Sequence, residues 1–118
     1  LVAMGRYPYT GWVGSLSAED EKVVDQAIAR MGATELAHRW LHQLSDGEHQ
    51  KLMVARALAQ DTPVLLLDEP TAHLDLPNRT ETMWWLRNIA HETGKCVLVS
   101  THELDLALRM ADRLLLLD

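Results

Sequence analysis

Residues 64–75 read VLLLDEPTAHLD, an aliphatic run from Val64 to Leu67 that ends in the paired acids Asp68 and Glu69 and then a turn at Pro70. A short continuous apolar run is the pattern of a strand buried on both faces of a parallel sheet. In open α/β sheets, ligands bind just beyond the carboxyl ends of the strands. Asp68 and Glu69 are therefore expected at a ligand crevice, where one acid can hold a cation and the other can take a proton. Upstream, Leu44 to Gln50 (LSDGEHQ) opens another helix. The combination points to a nucleotide hydrolase.

Working outward from that stretch, the chain divides by pattern. Residues 1–7 read as the tail of a helix ended by Gly5, and Tyr7 to Ser17 as a loop carrying Pro8, Gly11, Gly14 and three aromatics. Ser17, with Asp20 three residues on, predicts a capping-box start. Val23, Val24, Ala27, Ile28 and Met31 then mark one helix face, ended by Gly32. A short helical stretch around Thr34 to Trp40 leads into a helix over 47–60, with Leu52, Met53, Ala55 and Ala59 on its buried side. After the strand opened by Pro63, a helix is predicted over 77–93 with Met83, Leu86, Ile89 and Ala90 inward. A second buried strand follows at Cys96 to Val99. A helix over 103–111 follows, with Leu104, Ala107, Leu108 and Ala111 at helical spacing, and then a third strand over Leu114 to Leu117. This is an α/β chain: a helical subdomain, residues 1–60, followed by half of a parallel sheet core, residues 61–118.

Composition narrows the function. A net charge of −6 argues against nonspecific nucleic-acid binding, which depends on clustered Lys and Arg. The single cysteine, Cys96, lies in an apolar strand pattern and is expected to be a buried reduced thiol, which excludes a disulfide framework and fits the cytoplasm. No apolar run approaches the ~20 residues that span a bilayer, so work at a membrane would pass through a partner. At 118 residues the chain is one domain or a piece of one. A piece cut from a larger sheet would expose a strand edge and apolar faces.

Four motifs in order resemble the ATP-binding cassette (ABC) ATPases, the motor subunits of ABC transporters. Leu44-Ser45-Asp46-Gly47-Glu48 is similar to the signature motif, and Val64 to Glu69 to Walker B with its catalytic glutamate. Ala72-His73-Leu74-Asp75 resembles the D-loop, and Ser100-Thr101-His102 the switch histidine. The resemblance implies a partial P-loop NTPase fold with ATP and Mg²⁺ as ligands. It assigns Asp68 to Mg²⁺, Glu69 to the attacking water, and His102 to the γ-phosphate and the catalytic carboxylate. It also implies that Ser45 and Gly47 approach the γ-phosphate held by a second subunit, and that Asp75 reaches across a dimer. Implied partners are a second copy or another ABC subunit and transmembrane permease subunits, placing the protein at the cytoplasmic face of the cell membrane. Met4 to Tyr9, Leu58 to Thr62 and Thr71 to Asp75 are similar to the importer branch serving iron–siderophore, haem and cobalamin uptake.

The assigned chemistry has a physical basis in each residue type. Phosphoryl transfer needs a carboxylate to hold Mg²⁺ or its waters and a group to orient the attacking water. A helix N-terminus with free N–H groups attracts phosphate, Gly47 permits close approach, and Ser45 can donate a hydroxyl. Ser45 with Glu48 is equally an ordinary helix cap, and the two uses are compatible. The commonest family form has Gly and Gln where Asp46 and Glu48 stand here, so both acids are expected to face away from nucleotide. Asp75 could simply help to start the helix at Pro77. His38 and His42 are four apart, but without an evident third ligand they read as a solvated pair. Trp84 and Trp85 read as one core and one partly exposed residue. Tyr7 to Trp12 either contacts a permease or pins the loop to its own subdomain.

A P-loop, G-x-x-x-x-G-K-[ST], is missing from the sequence. Gly94-Lys95 is followed by Cys96, Ile89 stands where the first glycine belongs, and the pattern reads as a helix stop. The chain is accordingly expected to be the carboxy-proximal part of a nucleotide-binding domain, inactive without its P-loop. An ABC-type ATPase of DNA repair or chromosome maintenance would share these motifs, but would add basic surfaces and long coiled coils. A non-catalytic interaction module is the remaining alternative.

Overall fold

Ser17 starts the first long helix, α1 (Ala18–Arg30), through a complete capping box. Its hydroxyl accepts from the Asp20 amide at 3.1 Å, and the Asp20 carboxylate accepts from the Ser17 amide at 3.0 Å. The computed structural model describes residues 1–117. By its internal contacts the chain separates into two units, Leu1–Thr62 and Pro63–Asp118.

In the first unit a 3₁₀ helix, Val2–Tyr9, precedes α1. Two short 3₁₀ turns, Thr34–Leu36 and Leu41–Gln43, lead into α2 (Asp46–Ala59). Ile28, Met31, Leu52, Val54, Ala55 and Leu58 form its core. Helix α2 is flanked by both α1 and the 3₁₀ helix, so its buried arc is wide and takes in Val54 and Leu58, leaving Met53 exposed contrary to expectation. Gly5 does not terminate a helix either. It lies inside the 3₁₀ segment, where an added Cβ would collide with the Arg56 carbonyl. The glycine is there for close packing.

Arg6 organises this unit. Its side chain is buried, donates from Nε to Asp20 Oδ1 at 2.8 Å and from Nη1 to the Ala59 carbonyl at 3.1 Å, and lies 3.9 Å from the Tyr9 ring centroid. One guanidinium thus joins the start of α1, the end of α2 and the 3₁₀ helix. A buried arginine requires such partners, because an unpaired buried charge is costly.

In the second unit β1 (Val64–Asp68) pairs in parallel with β2 (Cys96–Ser100), with Val64 opposite Cys96 and Asp68 opposite Ser100. The connection is α3 (Leu76–Thr93), which buries Met83, Leu86 and Ile89. It ends at Gly94, whose φ of 68° is the left-handed conformation that favours glycine. Helix α4 (Leu104–Met110) follows β2.

Several expectations fail here. The strands are not buried on both faces: alternate residues Val64, Leu66 and Leu98 are exposed, Leu66 at 71%. The helix packing on this sheet covers one face only among the described residues. Cys96 shares the uncovered face and is exposed rather than buried. Residues 114–117 form no paired strand and are exposed. An apolar sequence permits a strand, but pairing requires a neighbour with free N–H and C=O groups at the right spacing. In α4 only Ala107 of the predicted apolar face is buried. Trp84 and Trp85 meet edge-to-face at 4.8 Å, Trp84 exposed and Trp85 partly so.

Ser17, through its side chain and its backbone, and then Arg6 lower the Asp20 pKa from 3.8 to about 2. A depressed carboxylate pKa contributes stability that is present above the unfolded value and lost as pH falls through the folded one. Asp20→Asn is expected to lower the thermal midpoint by several degrees at pH 7. Melts repeated at descending pH should show the gap between variant and parent closing from about pH 4 toward about pH 2.

Candidate active site

The register of the two strands assembles the site. Because Asp68 lies opposite Ser100, the residues following each strand leave the sheet side by side. The Ser100 hydroxyl donates to Asp68 Oδ1. The Glu69 amide donates both to the Ser100 carbonyl at 3.1 Å and to its hydroxyl oxygen at 3.2 Å. These contacts hold Glu69 at φ 46°, a left-handed conformation that few non-glycine residues adopt. Strain of this kind persists where surrounding contacts over-determine it, and it concentrates at functional sites. The Glu69 carboxylate leaves this turn to make a contact with the segment after β2.

His102 is met there. Its Nδ1 lies 3.0 Å from both Oε1 and Oε2 of Glu69. The ring is otherwise open, 75% exposed, and its Nε2 has no protein partner among the described residues. The hydrogen bond that Glu69 accepts from the ring and the Glu69 charge raise the His102 pKa above the ordinary 6.5. A protonated ring donates Nδ1–H to the carboxylate and presents Nε2–H outward.

Asp68 suits a magnesium ion. One of its oxygens is engaged by Ser100 and the residue is exposed at the strand end. No group of three or more potential metal-ligating side chains occurs among the described residues. Mg²⁺ is commonly bound through one or two carboxylates, keeping waters and substrate phosphates as its other ligands, so a lone carboxylate at a strand end is a fitting donor set.

Asp75 is placed differently. Its carboxylate caps α3 by accepting from the Asn78 amide at 3.0 Å, and it makes no bond to the Asp68–Glu69–His102 group. The turn between Glu69 and Asp75 is tied by Ala72 N–H to the Glu69 carbonyl and Leu74 N–H to the Thr71 carbonyl. Ser100 had no expected role, although it holds both acids. The available signal was a hydroxyl two residues before a histidine at a strand end.

In the first unit Ser45 caps α2. Its hydroxyl oxygen accepts from the Glu48 amide at 3.3 Å, and Glu48 Oε2 accepts from the Ser45 amide at 2.9 Å. Glu48 also pairs with Arg39 at 3.2 Å. Its pKa is lowered, chiefly by the Ser45 amide. The Glu48 carboxylate is therefore folded back onto the cap. The Ser45 hydroxyl is itself engaged with the Glu48 carboxylate, whereas the amides of Asp46 and Gly47 have no protein acceptor among the described residues. That is an anion-receptive helix end.

The model of the ABC transporter family matches residues 6–72. The chain belongs to the ABC transporter family. It is 44% identical over 97% of its length to the achromobactin transport ATP-binding protein CbrD of Dickeya dadantii. It is 46% identical, also over 97%, to the cobalamin import ATP-binding protein BtuD of Halobacterium salinarum. The chain spans 42% and 28% of those two relatives. Among solved structures, an inward-facing metal-chelate type ABC transporter superposes with a TM-score of 0.88 at 32% identity, covering 94% of this chain and 44% of that one. The partial P-loop NTPase fold of this ABC chain is thus shared with solved relatives.

Because Glu69 raises the His102 pKa, the pair's contribution to stability is fully present below the unfolded value of 6.5 and is lost as pH rises through the folded value. A ring-resonance NMR titration is expected to place the His102 midpoint above 6.5, and Glu69→Gln should bring it down toward 6.5. A midpoint unmoved by the substitution would mean that Glu69 is not its partner in solution.

Proposed function

We propose that this chain supplies the signature, Walker B, D-loop and switch-histidine segments of an ATP-hydrolysing subunit that drives import of a metal chelate of the iron–siderophore, haem or cobalamin class. The observation that carries the ATPase reading is the convergence of Asp68, Glu69 and His102 at the carboxyl end of β1, with Glu69 and His102 in contact at 3.0 Å. The relatives, named for achromobactin and cobalamin transport, support the cargo class.

In this reading Asp68 holds Mg²⁺, which when bound neutralises phosphate charge. Glu69 orients the attacking water and accepts its proton, and its strained backbone keeps the carboxylate directed at that water. His102 fixes the Glu69 carboxylate through Nδ1 and offers Nε2–H to a phosphate oxygen. Ser45 and the amides of Asp46 and Gly47 would receive phosphate held by a second subunit, with Asp75 reaching across the same dimer. One of the solved relatives is a dimeric cassette in a post-hydrolysis state with ADP and phosphate, which supports that arrangement. With no P-loop in its sequence, the isolated 118-residue chain is expected to bind Mg-ATP weakly and not to turn it over. Micromolar binding in a calorimetric titration would contradict this. In the complete subunit, Glu69→Gln should lower the hydrolysis rate by about 10²-fold or more, the usual worth of a general base, while ATP binding persists. A loss below about tenfold removes Glu69 from the role of base.

The loop after the 3₁₀ helix supports a permease partner. Trp12 is 107% and Val13 89% exposed, so neither pins the loop to its own unit. Tyr9 is the anchor: its hydroxyl donates to the Gln60 carbonyl at 2.7 Å and its ring lies against Arg6. Exposed aromatics are enriched at interface hot spots. Trp12→Ala should leave the melting temperature unchanged and weaken co-purification with the permease. Tyr9→Ala should lower the melting temperature. Equal permease capture by Trp12→Ala and parent would exclude Trp12 from the docking surface.

A further inference from the structure

Arg79 stands where local chemistry disfavours a cation, and Glu103 leaves unused the local role that its position offers. Arg79 is the fourth residue of α3, where a cation opposes the partial positive charge of the helix N-terminus. Glu103 is the N-cap of α4, yet its side chain makes no capping bond. Each forgoes a local role for a contact with the other. Arg79 Nη1 lies 2.9 Å from Glu103 Oε1, and the Glu103 side chain is only 14% exposed. Arg79 Nε donates at the same time to the carbonyl of Leu74, the residue before the α3 cap Asp75.

These contacts join the two turns that carry the site. On one side Leu74 is buried and its amide is bonded to Thr71, in the turn that starts at Glu69. On the other, Glu103 directly follows His102, and its amide is held by the Thr101 hydroxyl at 3.1 Å. The His102 ring is largely exposed, so packing does not fix it. Its placement depends on the backbone turn from Thr101 to Leu104.

We propose that Arg79 is a positioning residue that clamps the turn before α3 to the turn before α4, so that one guanidinium sets Asp75 and His102 relative to each other and to Glu69. Its kinetic consequence rests on the ATPase reading above; the mechanical tie does not. Movement of the 69–75 turn, as on approach of a second subunit, would then be passed to His102 through Arg79 and Glu103.

The test uses the complete subunit with two independent readouts. In amide hydrogen exchange, Glu103→Ala should raise exchange severalfold at Leu74 and Asn78, across the clamp from the substitution. Arg79→Ala should do the same at Leu104 and Ala107. Exchange that rises only beside each substituted residue overturns the clamp, whether or not the protein hydrolyses ATP. In steady-state kinetics, each substitution should lower kcat by about tenfold, within the range that small misplacements of reacting groups produce. KM for ATP should be nearly unchanged. The double variant should be no slower than either single one, because both remove the same link. Multiplicative losses, or an unchanged kcat in Arg79→Ala, would overturn the positioning role. A parent protein inert toward Mg-ATP would remove the ATPase reading, and the exchange result would still decide the clamp.

Discussion

The register that sets Asp68 opposite Ser100 is the constraint on which the candidate active site depends. A parallel pair delivers both chain ends at the same edge of the sheet, so the residues leaving β1 and β2 meet there without further design. A slip of one residue would turn Asp68 and Ser100 to opposite faces and take the amide of Glu69 out of reach of Ser100. With it would go the left-handed turn at Glu69 and the contact with His102. The hydroxyl of Ser100 therefore acts on both acids at once, bonding the Asp68 carboxylate and the Glu69 amide.

The electrostatics of that edge favour a paired acid and imidazole. Asp68 and Glu69 are adjacent, and like charges so close are costly unless something offsets them. Ser100 offers a hydrogen bond to one, and His102, when protonated, a counter-charge to the other. An incoming cation at Asp68 would complete the compensation. The same logic explains why Glu103, a third acid near His102, is taken up by Arg79 rather than left facing the ring.

The first unit is built on a different solution to the same problem. Arg6 is buried and is made tolerable by Asp20, the Ala59 carbonyl and the face of Tyr9. Because those partners come from three elements, the arginine specifies their mutual placement as apolar contacts alone would not. Ser45 and Glu48 show the economy of a capping box in a phosphate-binding family. Of the two acids that set this segment apart, Glu48 is folded onto its own helix cap, while the Asp46 and Gly47 amides keep no protein acceptor among the described residues. That placement of Glu48 is a matter of local helix chemistry, since the Ser45–Glu48 spacing of a capping box stands in the sequence itself.

Much of the architecture follows from local rules that act within a few residues. The Ser17 and Ser45 caps, the Gly94 terminator, the helical periodicity of α1 and α3 and the strand at Val64 to Asp68 are all of this kind. So are the candidacies of Asp68, Glu69 and His102, whose order and spacing mark the family. What the sequence left open is whatever depends on a neighbour far along the chain. Among the described residues, the strand expected at 114–117 has no pairing partner and the sheet face of Cys96 and Leu66 has no covering layer; Gly5 serves a close approach to α2 rather than a helix end. The bonds that Ser100 makes to the two acids and the Arg79–Glu103 link are of the same kind, because no periodicity or cap marks a hydroxyl or an ion pair that acts between segments more than twenty residues apart. Local propensity is written in consecutive residues. Register, burial and long-range polar pairing are decided only when the strands and helices meet.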